Sequence, residues 1–385
     1  MFVESQECLS ESEADPVNIQ GLQYYLHPDL QGTEPALDTL RAPPPGKVLT
    51  YRVNKNVTSH IDDDEDDEDG TRVLSTLGAA ARHVLQQGLP RSGAVLLRGI
   101  PARKAEQFAT FWRACKRNAT ATATTDTAWD EMEYINFGHP RAKQAGVDTA
   151  TNIPPNFALN LHNENSYNPR RPRYIGLYCL QQSTAGGESL IAWNADITRH
   201  VPTALIKHIR QHGGILYERS YRDANASLPP TTDDDDGIAQ QLAVTWQDKC
   251  NATTRQEAEA FWLSNGFREE HLVWESNGTL RVRNVEAGFI PAVTCSEDDP
   301  NQQEEEEEGS WWWYNNLDTC GTCADGSGRP PLTLLQQYQA HRWKAAYAFR
   351  LQPGDWLVLD NKRVQHGRLP YPPGDTRRLL TVLIK

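Results

Sequence analysis

The chain has 385 residues, 38% of them hydrophobic and 23% charged, with a formal net charge of −13. That is ordinary globular composition with material for a sizeable core. The acidity argues against nucleic acid as a partner, since phosphate binding needs clustered Lys and Arg, and with no apolar run near the roughly 20 residues that span a bilayer, no membrane contact is expected.

The negative charge is concentrated in three blocks, Asp62 to Asp69, Asp233 to Asp236 and Glu304 to Glu308. Such blocks repel themselves and stay solvated. Single cores rarely grow past roughly 250–300 residues. The surplus length is therefore assigned to a loosely packed N-terminal extension over 1–70, which carries the first block, and to loop insertions near 230–237 and 296–310. One domain over 71–385 remains. Met1-Phe2-Val3-Glu4-Ser5 lacks a basic stretch followed by an apolar one, so no secretory signal is expected. The seven cysteines are odd in number and scattered, which fits reduced thiols in the cytoplasm. Cys320-Gly321-Thr322-Cys323 is a lone CxxC with no second pair following it, and reads as a loop.

Lys47 to Val53 reads as a short strand. Arg72 to Gln87 has apolar residues at helical spacing, Gly93 to Gly99 reads as a buried strand, and Ala105 to Cys115 as an amphipathic helix. The Thr/Ala-rich stretch from Asn118 to Thr127 is loop. Short strands then dominate: Leu159 to Glu164, Tyr174 to Gln181, Ser189 to Trp193, Ile215 to Ser220, Leu280 to Val285, Ala345 to Leu351, Asp355 to Leu359 and Leu379 to Ile384. Helices interrupt at Pro202 to His212, at Thr254 to Asn265, and at Thr333 to Trp343, where Thr333 is the expected N-cap. Mainly β structure with a few peripheral helices predicts an α+β protein whose core is a jelly-roll of the cupin type, a double-stranded β-helix.

His162-Asn163-Glu164 lies mid-chain and His366 near the end. On a strand, residues two apart share a face, so His162 and Glu164 converge while Asn163 points away. A histidine, a carboxylate two residues on and a distant second histidine form the facial triad that holds non-haem Fe(II) and leaves three positions open. Alone, HxE is a common surface pattern. Arg377-Arg378 changes the odds, because an inward guanidinium matches a carboxylate through two parallel hydrogen bonds. Arg378 shares its face with Leu380, Val382 and Ile384, all apolar, whereas Arg377 shares its face with the mixed set Leu379, Thr381, Leu383 and Lys385. If the apolar face looks into the barrel, Arg378 is the inward one, and Arg377 is surface.

These pieces carry a resemblance. In order, Gly93 to Gly99, Leu161-His162-Asn163-Glu164-Asn165-Ser166-Tyr167, Gly186-Gly187-Glu188-Ser189, Trp313-Tyr314-Asn315-Asn316, Gly354 to Asn361, His366-Gly367-Arg368 and Arg377-Arg378-Leu379-Leu380 are similar to segments of the TauD/TfdA family of Fe(II)/2-oxoglutarate-dependent dioxygenases. Within it they most resemble the clavaminate-synthase-like group that includes the syringomycin-pathway hydroxylase. The resemblance implies a double-stranded β-helix in which His162, Glu164 and His366 bind Fe(II). It implies that Arg378, helped by the Ser189 hydroxyl, clamps the distal carboxylate of 2-oxoglutarate. Succinate and carbon dioxide would be co-products of oxidising an unactivated C–H bond with dioxygen. Because Glu164 is retained where related halogenases carry a small residue, hydroxylation, desaturation or ring closure is implied rather than halogenation.

The same group points to a small, amino-acid-like substrate. Arg281 and Arg283 are candidates for meeting a substrate carboxylate, with surface charge the blander alternative. Trp311-Trp312-Trp313 either walls a pocket or packs a core. A non-catalytic metal-binding sensor and a cupin-type metal hydrolase remain as alternatives. A hydrolase has no need of the carboxylate clamp.

Overall fold

A computed structural model describes residues 1–5, 23–24, 40–54, 68–117, 129–134, 141–150, 153–226, 244–291, 311–314 and 321–385. The acidic blocks over 233–236 and 304–308, the Thr/Ala-rich stretch, Cys320 and Asn315-Asn316 lie outside the described residues, as does most of the first acidic block.

Two sheets face each other. The large one has eight strands in the spatial order Phe2–Ser5, Leu49–Val53, Ala94–Arg98, Trp356–Asp360, Tyr174–Gln181, Arg378–Ile384, Val147–Thr149 and Lys143–Gln144. The smaller has five, ordered Tyr347–Phe349, Ser189–Trp193, Val364–Arg368, Phe157–His162 and Gln23–Tyr24. The core between them is filled from both sides. Ile175, Leu177, Cys179, Leu357, Leu359, Leu379 and Leu383 come from the large sheet, and Ile191, Trp193, Phe349 and Val364 from the small one. This is the jelly-roll expected, built as two layers rather than as a closed barrel. A four-stranded sheet of Leu272–Trp274, Leu280–Glu286, Ile215–Tyr221 and Gly321–Cys323 flanks it.

The strands are apolar on both faces because both faces are covered. The outer face of the large sheet packs Tyr178, Trp356, Val358, Leu380, Val382 and Ile384 against two helices, Glu68–Ser92 and Ala105–Lys116, through Leu77, Leu85, Phe108, Phe111 and Trp112. Each such side chain contributes about 1.5–3 kcal/mol on burial. Gly176 makes room on that face: a Cβ there would stand 2.5 Å from the Trp356 indole nitrogen. Leu190 and Ala192 on the outer face of the small sheet pack against helices Thr203–Gln211 and Leu332–Lys344.

Some expectations change and others hold. The helix expected to begin after a Thr333 cap begins at Leu332 with Pro331 before it, because a proline at the boundary ends the preceding extended segment without needing its amide. The strand expected over Lys47 to Val53 forms as Leu49–Val53 and pairs in parallel with Ala94–Arg98, and Phe2–Ser5 pairs with it in turn. Cys323 is buried in a short strand rather than a loop. Trp313 packs the core and donates to the Tyr338 hydroxyl at 2.6 Å.

The turn Gly354-Asp355 is fixed by chemistry visible in its motif. Gly354 adopts φ +89°, and a Cβ there would lie 2.6 Å from the Ile100 carbonyl. Asp355 then accepts from Arg98 Nε and Nη2 at 3.0 and 2.9 Å, tying two neighbouring strands at their ends.

Candidate active site

The strand carrying His162 ends at that residue, and Glu164 lies in the following turn rather than two steps along a strand. The turn is held from below by Asn361, at the end of strand Trp356–Asp360. The Glu164 amide donates to Asn361 Oδ1 at 2.7 Å, and Asn361 Nδ2 donates to the Glu164 carbonyl at 2.9 Å. Asn163 is also used: its Nδ2 donates to the Asn361 carbonyl at 2.6 Å. Sequence reading had left both asparagines without a role.

His366 sits on Val364–Arg368, directly opposite His162 on Phe157–His162. The register slips between His366 and Arg368, where Gly367 lies so close to Leu159 that a Cβ would stand 2.5 Å from its carbonyl oxygen. The two rings are 4.2 Å apart between centroids. Glu164 Oε2 faces both, 3.5 Å from His366 Nε2 and 3.8 Å from His162 Nε2. Among the described residues this is the one group of three or more His, Cys, Asp or Glu whose ligand atoms all lie within 4.8 Å of one another. A six-coordinate ion with bonds of roughly 2.1 Å spaces adjacent ligand atoms by about 3 Å, so a small inward movement satisfies it.

The protonation states suit a divalent cation. His162 Nδ1 lies 2.7 Å from the Asn160 carbonyl, which fixes the ring with Nδ1 as donor and leaves the Nε2 lone pair for a metal. Burial, with the His162 ring beside it, pulls His366 down to about 4, so its ring is neutral near pH 7. Burial alone would raise the Glu164 carboxyl, but the Arg141 guanidinium and both imidazoles hold it well below the usual range.

Across the same cavity stand Ser189 and Arg377. Arg377 Nη2 donates to Ser189 Oγ at 3.3 Å and Nε to Gln182 Oε1 at 3.1 Å. Burial and the nearby charge of Arg368 pull Arg377 down to about 10. Gly186 and Gly187, both at positive φ, form the turn before Ser189, and Gly187 leaves Arg377 its passage: a Cβ there would lie 3.0 Å from Arg377 Cδ.

Arg378, the expected clamp, is exposed and donates to Gln144 at 3.2 Å. Its outward placement has a physical cause. The uniformly apolar face of Arg378–Ile384 lies dry under the outer helices, and the mixed face, with Thr381, lines the cavity. Arg377 shares that mixed face. Arg281 and Arg283 are partly exposed and pair with Glu218 and Glu275.

The cavity measures about 590 Å³ and is lined by His162, Glu164, His366, Ser189 and Arg377, with Tyr134, Arg141, Asn160, Tyr167 and Arg219 among the others. That volume is within the usual range for a small-molecule site.

The model of the taurine catabolism dioxygenase TauD, TfdA family matches residues 55–309 and 314–383. The chain belongs to the TauD/TfdA family. It is accordingly a 2-oxoglutarate-dependent dioxygenase, using Fe(II), 2-oxoglutarate and dioxygen. Among relatives, a clavaminate synthase-like protein of Arabidopsis thaliana is 24% identical over 312 residues, covering 79% of this chain and 85% of its own length. The dapdiamide synthesis protein DdaC of Enterobacter agglomerans is 24% identical over 308 residues, covering 76% of this chain and 82% of its own. A solved structure of an asparagine oxygenase with Fe(II), 2S,3S-3-hydroxyasparagine and succinate aligns at 14% identity with a TM-score of 0.46, covering 87% of this chain and 93% of that one. Among the described residues no helix is long and apolar enough to cross a membrane.

Proposed function

We propose that the protein hydroxylates an unactivated C–H bond of a small, amino-acid-like metabolite that carries a negative charge. In this reading His162, Glu164 and His366 hold Fe(II), and Arg377 with Ser189 clamps the distal carboxylate of 2-oxoglutarate in the place first expected of Arg378. When bound, the iron supplies the coupling of 2-oxoglutarate decarboxylation to oxidation of the substrate. The chain's own work is to orient both molecules and to exclude water from the cavity.

The observation that carries the reading is the pairing, on one cavity, of a buried His/Glu/His cluster with a guanidinium–hydroxyl pair. The charge of the cavity supports the substrate class. Its lining includes Arg141, Arg368 and Arg377, with the exposed Arg378 at its edge, but, among the carboxylates, Glu164 alone. A dianionic co-substrate offsets part of this excess, and an anionic group on the substrate suits the rest. The name of the DdaC relative, a dapdiamide synthesis protein, agrees with amino-acid-derived chemistry. A cytoplasmic setting is supported by Cys115, Cys179, Cys250 and Cys323, all buried and free.

The test is succinate release on a panel of amino acids and their derivatives under air with Fe(II) and 2-oxoglutarate. The expected outcome is a substrate whose product gains one oxygen atom in proportion to succinate, with none formed by H162A. A product lacking two hydrogens would move the reading to desaturation or ring closure. No succinate on any substrate, with no spectral change on mixing Fe(II) and 2-oxoglutarate anaerobically, would favour the sensor or hydrolase alternatives.

A further inference from the structure

We propose that Arg141 is a positioning residue that restricts Glu164 to binding the metal through one oxygen. The inference rests on the reading that His162, Glu164 and His366 are the iron ligands.

The two oxygens of Glu164 have different neighbours. Oε2 faces both imidazole Nε2 atoms, at 3.5 and 3.8 Å. Oε1 accepts from Arg141 Nη2 at 2.9 Å. A glutamate carboxylate can offer both oxygens to one cation when nothing prevents it. Here that would occupy a fourth of six positions and leave two. A bidentate 2-oxoglutarate together with dioxygen needs three. An oxygen engaged by a guanidinium is held away from the metal, so the hydrogen bond to Oε1 keeps the third position open.

Arg141 is built to hold that oxygen still. Its side chain is 8% exposed and lies over the Tyr134 ring, 3.9 Å from the centroid. The next residue is locked to the edge hairpin of the large sheet. The Ala142 amide donates to Thr149 Oγ1 at 3.1 Å, and the Thr149 amide donates to the Ala142 carbonyl at 2.7 Å. Arg141 Nε and Nη1 are buried without a hydrogen-bond partner, so Glu164 is the acceptor that this guanidinium serves. A buried cation supported so sparsely is costly to the fold. The cost is understandable if the residue acts on the metal site and not on stability.

The experiment compares wild type, R141Q and R141K, with H162A as the control for the iron site. Fe(II) and then 2-oxoglutarate are titrated anaerobically, reading bound iron and the visible metal-to-co-substrate charge-transfer band. Thermal unfolding of each variant without metal is followed alongside. R141Q is expected to keep Fe(II) affinity within about threefold of wild type. Its 2-oxoglutarate affinity should fall about 10–100-fold, with the band displaced or weakened, because a carboxylate free to take a second position misplaces the co-substrate. R141K keeps a charged donor of similar reach, where Gln offers only a shorter neutral amide, and should recover most of the band. A wild-type-like band and 2-oxoglutarate titration in R141Q would overturn the proposal. So would parallel loss of iron binding, band and thermal stability in both variants, since the residue would then serve the fold. Absence of the band in wild type itself would instead overturn the iron-site reading on which the proposal rests.

Discussion

Asn361 and Glu164 hold each other by a reciprocal pair of hydrogen bonds, amide to side-chain oxygen at 2.7 Å and side-chain nitrogen to carbonyl at 2.9 Å. The side chain of one residue thus acts as a strand partner for the backbone of the other. A carboxylate in a turn is thereby aimed as firmly as one on a strand. Asn361 Nδ2 also reaches the Pro172 carbonyl at 3.0 Å and the Tyr314 hydroxyl at 3.1 Å.

Replacing that amide tests whether the turn sets metal affinity. N361A leaves the Glu164 amide and two buried carbonyls without their partner, which costs about 2 kcal/mol or more of stability. The Fe(II) dissociation constant is expected to rise about 10–100-fold, as for other groups that orient a metal ligand. Calorimetric titration of metal into variant and wild type checks it. Lost stability with unchanged metal affinity would mean that the turn is aimed by other contacts.

The two adjacent arginines give a sharper contrast. Arg377 reaches Ser189 inside the cavity, and Arg378 reaches Gln144 at the surface. R377M should raise KM for 2-oxoglutarate about 100-fold, the range expected on truncating one partner of a desolvated charge pair. R378M should change it by about twofold or less, since exposed polar contacts contribute little. Steady-state succinate assays at varied 2-oxoglutarate distinguish them, and the reverse pattern would return the clamp to Arg378.

A methyl group placed at Gly187 probes the same clamp from behind. The residue has φ +69°, and an added Cβ would stand 2.6 Å from Ser183 Oγ and 3.0 Å from Arg377 Cδ. G187A pays about 1–2 kcal/mol for the left-handed conformation and must displace Arg377 as well. KM for 2-oxoglutarate is expected to rise about 10–100-fold, as misplacement near a reacting centre does, while Fe(II) binding stays near wild type. Equal loss of both would show that the turn supports the whole site and not the arginine alone.

What the sequence made legible follows from what local pattern can carry. Tyr174–Gln181 and Ser189–Trp193 begin and end where their apolar runs and the Gly/Pro punctuation place them. The strand holding His366 escaped notice because Val364-Gln365-His366-Gly367-Arg368 has one branched apolar residue and a glycine. It is a strand because its neighbours on both sides supply partners, Ser189–Trp193 and Phe157–His162. Parity pointed Arg378 inward, where the structure turns it outward, because periodicity separates two faces of a strand without saying which one a helix covers. Arg141 had no signal at all: it lies outside any strand, and its contact with Glu164 exists only after the edge hairpin docks.

A last prediction concerns a buried cation away from the cavity. Lys249 is 8% exposed, with its ammonium 5.5 Å from the Trp262 ring centroid and 5.9 Å from that of Phe261. Burial pulls it down to about 7 from its ordinary 10.5. Between those two values the unfolded chain binds the proton more tightly than the folded one, so stability rises with pH across that window. Below about pH 7 both states are charged and the folded state bears the full cost. K249M removes the charge while keeping the stem's packing, and is expected to stabilise the protein by about 2 kcal/mol at pH 6.5. The advantage should shrink toward pH 10, where the wild-type amine is already neutral in the fold. Denaturant unfolding at the two pH values checks both magnitude and sign. A stabilisation that grew with pH would mean that the ammonium is held by favourable contacts and is not suffering from its burial.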